Sequence, residues 1–170
     1  MIDANLLAYL LSAAVKFSGL PAIPVGQLPP IRLVPSEEIA SKVCPDDKNR
    51  CAGLVAVFDT DDYVILVRDS LDLETTFDNS FLLHELVHVL QFKSRGAAIF
   101  SNCRTAVRTE SEAYKAQNAY LQHEGQFARF GEGLRFATCG AQQDALSLRD
   151  MMVAPGRGSP PGEAEAAKAN

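Results

Sequence analysis

The chain reads as an α+β domain: a small mixed or antiparallel sheet packed on a buried helix, with a second long helix alongside. Three observations predict this. Gly53 to Phe58 (GLVAVF) and Tyr63 to Val67 (YVILV) are apolar runs on either side of a DTDD turn, the pattern of a hairpin. Phe81 to Phe92 (FLLHELVHVLQF) is apolar on nearly every face except the one carrying His84, His88 and Gln91, which marks a centrally buried helix. Arg104 to Glu124 is rich in helix formers, with Ala106, Ala113, Ala116 and Tyr120 able to face the first long helix.

The remaining elements follow in chain order. Asn5 to Phe17 suits an amphipathic helix, stopped by Ser18, Gly19 and then Pro21. PAIPVGQLPP, from Pro21 to Pro30, is expected to be an extended connection because its prolines oppose both helix and central strand. Ile31 to Val34 can form a short strand. Ser36, at an expected cap position, opens the short helix SEEIASKV with acids in its first turn. After the hairpin, Asp78, Asn79 or Ser80 could each cap the buried helix. Gly125, Gly131, Gly133 and Gly140 break the chain after the second long helix, and LSLRDMMV offers a last helical turn or two. A single domain is expected over 1–153, with 154–170 (APGRGSPPGEAEAAKAN) a disordered tail that lacks an apolar anchor.

Composition narrows the function. A length of 170 residues is enough for one sizeable core, and 47% hydrophobic content is ordinary for a globular protein. Sixteen basic residues against 21 acidic ones give a net charge of -5, with no basic stripe, so a nucleic-acid partner is disfavoured. No apolar stretch reaches the length of a bilayer span, so stable membrane insertion is not expected. The apolar start LLAYLLSAAV follows Asp3 and lacks a preceding basic residue, which favours a first helix over a signal peptide. Four cysteines without a CxxC pair disfavour a zinc knuckle. Cys44 and Cys51 bracket the polar loop CPDDKNRC, and Cys103 and Cys139 flank the long helical part. Two such bridges imply a periplasmic or secreted protein, whereas four free thiols would fit the cytoplasm.

The chemistry concentrates in one place. Burying unpaired polar groups is costly, yet the greasy helix carries two of the chain's three histidines and a carboxylate. His84, Glu85 and His88 form HELVH, the HExxH pattern. Residues four apart on a helix share a face, so both imidazoles can point at one zinc ion. Glu85, about 100° further round, can lean over the open side as a general base. A third ligand is needed, and Glu110 and Glu112 in TESEAYKAQ are the candidates; helical periodicity prevents both from reaching one metal. Gln91 and Gln117 suit either hydrogen bonds around the ligands or plain interhelical packing.

HELVH followed about twenty residues later by E-x-x-A-Tyr resembles the gluzincin class of zinc metallopeptidases, in particular its small minimal versions and the membrane-linked relatives whose second motif reads E-x-x-A-Asp. The resemblance covers mainly Val64 to Gln117. It implies a zincin-like core, Zn²⁺ held by His84, His88 and Glu110, Glu85 as general base, and a peptide or protein substrate. It also implies an edge strand before the motif helix that aligns the substrate, a role for which Tyr63 to Val67 is placed, although that segment could equally be only a core element. Where many relatives carry an acid hydrogen-bonded to the first histidine, this chain has Tyr114, which leaves the orientation of His84 open. Tyr114, Arg108 and His123 are the candidate donors to a developing oxyanion, His123 being the most distant. The alternatives to a peptidase are a metal-binding regulatory or interaction protein with little or no activity, and a zinc hydrolase of a non-peptide bond.

Overall fold

The computed structural model describes residues 2–139 and has the α+β architecture expected: four α-helices and a three-stranded mixed sheet among the described residues. Helix α1 (Ala4–Ser18) is capped by Asp3, whose carboxylate accepts from the amides of Asn5 and Leu6, and it ends on Gly19 at φ 69°. That left-handed residue is where glycine's missing Cβ matters. Strand β1 (Ile31–Val34) leads into helix α2 (Ser36–Val43). Strands β2 (Ala56–Asp59) and β3 (Val64–Arg68) form the antiparallel hairpin, and the two long helices are α3 (Thr76–Arg95) and α4 (Cys103–His123).

Several boundaries differ from expectation for local reasons. The proline-rich connection contains one 3-10 turn, Val25–Gln27, because φ near -60° at Pro24 is compatible with a helical start. Pro35, not Ser36, occupies the cap position of α2. Helix α3 starts earlier than Asp78: Thr75 is its cap, with its hydroxyl accepting from the amide of Asp78 at 3.3 Å. The Asp78 carboxylate instead accepts from the amide of Asp72 at 2.8 Å, fastening the loop that enters the helix.

Strand order is β1-β3-β2, with β1 parallel and β2 antiparallel to β3. Of the two roles open to Tyr63 to Val67, this overturns the edge strand and bears out the core element: that segment is the centre of the sheet. Its side chains are buried on both faces. Ile65 and Val67 join the main core with α1, α3 and α4, while Val64 and Leu66 pack with Val34, Ile39 and Leu54 on the face covered by α2. Such a continuous apolar run is what a fully covered strand requires. The edge beside α3 is β2.

Every residue of α3 from Asp78 to Gln91 is buried, as its all-round apolarity predicts. Helix α4 lies against it through Ala113, Ala116 and Tyr120, small residues permitting close approach and Tyr120 donating to Asn79 Oδ1 at 2.8 Å. Disulfides join Cys44 to Cys51 and Cys103 to Cys139, the pairs expected. They fit an oxidising compartment. No helix among the described residues is long and apolar enough to cross a membrane. The expected final helical turns in LSLRDMMV and the tail over 154–170 lie outside the described residues.

Candidate metal centre

One turn of α3 separates His84 from His88, and their Nε2 atoms lie 3.0 Å apart. Helix α4 presents Glu110 to both: its Oε2 is 3.2 Å from His84 Nε2 and its Oε1 is 3.1 Å from His88 Nε2. Ligand atoms from these three residues all fall within 4.8 Å of one another, and all three side chains are buried, Glu110 completely. They form a group that can hold a metal ion.

Hydrogen bonding around the group fixes what the imidazoles offer. Gln91 Nε2 donates to the backbone carbonyl of Thr109 at 3.0 Å, which turns its Oε1 towards His88 Nδ1 at 2.7 Å. On the other side, Ser80 Oγ donates to the carbonyl of Phe77 and accepts from Gln117 Nε2, which turns Gln117 Oε1 towards His84 Nδ1 at 3.1 Å. An amide oxygen can only accept, so each Nδ1 must carry the proton. Each Nε2 then keeps its lone pair, and both lone pairs face the Glu110 carboxylate. Three electron-rich atoms turned inward in a buried site require a positive charge among them.

A proton can serve in part. Burial alone would lower the His88 pKa, but the Glu110 carboxylate more than reverses this and raises it to about 9. Burial likewise opposes ionisation of Glu110, yet His88 and His84 hold it far below the usual carboxylate range. Even so, Glu110 Oε1 makes no aligned hydrogen bond among the described residues. Two imidazole nitrogens and a carboxylate are a donor set suited to zinc, and the orphaned oxygen is consistent with that fit.

Glu85 points towards β2, where its Oε2 accepts from the amide of Phe58 at 2.7 Å. Burial pushes its carboxyl pKa up, against the pull of His84 and His88. In an antiparallel pair, a residue whose amide points away from the partner strand is followed two residues on by another of the same sense. Phe58 therefore shows that Ala56 also turns its polar backbone groups towards the open edge, beside Glu85. A cavity of about 20 Å³, room for one water, lies there between Ala56, Glu85, His84, Gln117, Tyr114 and Phe130. Tyr114 packs against the His84 ring at a tilt of 57°, with centroids 4.4 Å apart, and burial, then Glu110 and Glu85, push its pKa up, so it stays a neutral phenol.

The structure thus brings His84, Glu85, His88, Glu110 and Tyr114 together and leaves three other candidates outside. Glu112 does not reach the histidines: it pairs with Arg95 and Arg108, which also removes Arg108 from the centre, and its Oε2 accepts from Gln91 Nε2 at 3.2 Å. His123 contacts Lys16 and Glu124 at the far end of α4. The position Tyr114 leaves open, the partner of the first histidine, is filled by Gln117 three residues later. Phe100 packs on His88 at 5.3 Å, and Phe92 packs with Phe58 and Tyr63. Sequence reasoning missed Phe130 as part of the cavity wall; the only signal near it was the pair of glycines, Gly125 and Gly131, that bracket it.

Fold and site together define a small α+β domain with a helix-borne His-His-Glu group able to hold a metal ion. Residues 11–131 match the family model described as Domain of unknown function (DUF6647), and the chain belongs to that family. The matched span includes every residue of the candidate centre. No curated protein and no solved structure matches the chain.

Proposed function

We propose that this protein is a zinc-dependent hydrolase of peptide bonds, a minimal gluzincin-like metallopeptidase working in the periplasm or outside the cell. The observation that carries the reading is the convergence of His84 Nε2, His88 Nε2 and the Glu110 carboxylate, with a further carboxylate, Glu85, on the cavity beside them. A purely structural site would supply all four ligands from protein, whereas this group supplies three. A zinc ion bound there would act as a Lewis acid on a carbonyl and on water.

The chain's own residues would do the rest. Glu85 takes a proton from water and returns it to the leaving amine, with Phe58 holding one of its oxygens and so fixing its direction. Tyr114, kept neutral, is the candidate donor to the substrate's carbonyl oxygen. Gln91 and Gln117 hold the imidazoles in the metal-binding tautomer. The two disulfides support the oxidising location.

One observation favours a second reading, a metal-binding protein with little or no hydrolysis: the cavity beside Glu85 admits a water but not a peptide. Zinc titration of wild type beside Glu85→Gln separates them. The enzyme reading expects Glu85→Gln to keep its zinc and to lose peptide hydrolysis by about 10²- to 10⁴-fold. Equal activity of the two proteins would refute Glu85 as the base, and zinc binding without hydrolysis in wild type would favour the second reading.

A further inference from the structure

The small cavity at the candidate centre is separated from solvent by very little. On the outer side of α4 lies an open groove of about 680 Å³, bordered by Ser111, Lys115, Asn118 and Phe127. Tyr114 and Phe130 line both the groove and the inner cavity, so they are the partition between them. The inner cavity is otherwise walled by α3, α4 and the residues of β2 and its approach, all parts of the core. Phe130 comes from the strap 125–131, chain without regular secondary structure between α4 and a 3-10 turn, Glu132–Phe136.

The strap is held through its backbone as well as its side chain. Asn118 Nδ2 donates to the carbonyl of Phe130 and Asn118 Oδ1 accepts from its amide, both at 2.9 Å. One side-chain amide thereby satisfies both backbone groups of a single residue. The Phe130 ring enters an aromatic pocket, with centroids 5.7 Å from Phe77 and 5.2 Å from Phe81. Its neighbour Gly131, at φ 77°, passes so near Tyr114 that a Cβ there would lie 2.6 Å from the ring. Tyr114 cannot easily withdraw, because its ring rests on His84. Beyond this point the strap is tethered to the start of α4 by the Cys103–Cys139 disulfide.

We propose that the strap is a built-in pseudo-substrate: Asn118 and the Phe77–Phe81 pocket form a subsite for an aromatic residue of a peptide, which Phe130 fills until the strap is displaced. This rests on the peptidase reading for its substrate class, and it eases that reading's main difficulty, since displacing Phe130 takes away one of the two residues that stand between the small cavity and the open groove. Asn118 is then a positioning residue for the peptide backbone, and Phe77 and Phe81 determine side-chain specificity.

The test uses the smallest molecule with the ring, amide and carbonyl of a phenylalanine residue, N-acetyl-phenylalanine N-methylamide, against its alanine counterpart. Binding is followed by NMR titration of the metal-free full chain. Gly131→Ala is expected to push the strap off Tyr114 and Cys139→Ser to free its far end; each leaves the subsite residues in place. Both variants should bind the phenylalanine probe at least about tenfold more tightly than wild type does and than they bind the alanine probe, given the burial of an aromatic ring. Adding Asn118→Ala to the better binder should cost about tenfold through two lost hydrogen bonds. If Gly131→Ala does not fold, Cys139→Ser alone decides. Equal binding of the two probes, no gain over wild type, or indifference to Asn118→Ala overturns the proposal. Zinc titration of the same samples keeps the two ideas apart. Probe binding without zinc binding would sink the peptidase reading and spare the subsite, whereas zinc-dependent hydrolysis with no preference for aromatic residues would sink the subsite alone.

Discussion

Replacing Gln117 with methionine should weaken metal binding without removing a ligand. Gln117 is completely buried, and its Oε1 is the acceptor for His84 Nδ1 at 3.1 Å. Methionine fills a similar space but cannot supply that acceptor. His84 then has two options. It can keep its proton on Nδ1, where the buried donor lacks a partner at a cost of about 1–3 kcal/mol. Alternatively it moves the proton to Nε2 and gives up the lone pair that faces Glu110. Either way the metal-competent state becomes less populated, and affinity should fall by about 10- to 100-fold, the range for losing such a supporting contact. The Gln117→Glu variant keeps an acceptor in place and should retain most of the affinity.

Competition against a chromophoric zinc chelator gives the dissociation constants, and histidine ring ¹⁵N shifts give the tautomer directly. A folded Gln117→Met protein with affinity within about twofold of wild type, and with His84 still protonated on Nδ1, would refute the reasoning. It would mean that the ring is oriented by its contact with Tyr114 and by packing instead.

Other outcomes follow from the same structure. Glu110→Ala should abolish high-affinity zinc binding while Glu112→Ala changes it little, because Glu112 pairs with Arg95 and Arg108 and the Thr109 carbonyl still orients Gln91 without it; chelator competition reads both. Tyr120→Phe leaves buried Asn79 Oδ1 without its 2.8 Å donor and should destabilise the fold by about 1–3 kcal/mol in denaturant titration. Removing the Cys103–Cys139 bridge, which spans 36 residues, should cost about 4 kcal/mol, against about 2 kcal/mol for Cys44–Cys51, which spans 7. Burial acts to raise the Asp59 pKa, but Lys42 and the amides of Asp61 and Asp62 outweigh it and hold it low. A depressed carboxyl contributes stability above its unfolded pKa that is lost as pH falls through the folded value. An acid titration of stability should therefore show a loss below about pH 4 that Lys42→Met diminishes.

The legible parts of this protein are those set by local periodicity. His84 and His88 share a face because four residues make about one helical turn, and α3 is buried because it has no polar side except that face. The hairpin is visible from its turn and the two disulfides from their placement in the chain. Strand order was not visible in the same way, because it depends on β1 pairing in parallel with β3, a contact between segments distant in sequence. Yet YVILV held the clue: a strand apolar on both faces needs cover on both, which suits the middle of a sheet better than its edge. Glu110 was preferred over Glu112 through the family's spacing, and the structure supplies the physical reason in the rotation of α4 that turns Glu112 outward to the arginines.

What stayed hidden depends on contacts between elements distant in sequence. In the sequence Gln91 and Gln117 suit packing as well as hydrogen bonds around the ligands, and only the packing of α3 on α4 decides between them: each amide is oriented at one end by a fixed partner, the Thr109 carbonyl or the Ser80 hydroxyl, so that its other end must accept from a histidine. This also answers why an apolar helix tolerates His84 and His88. Their Nδ1 atoms are satisfied within the core, so the cost of burial is confined to the Nε2 side, where the Glu110 carboxylate waits. A helix carrying the same histidines without the two glutamines would have to leave a buried donor unpaired or accept the wrong tautomer. The glutamines make the site's unmet demand single and specific: positive charge at one point between α3 and α4.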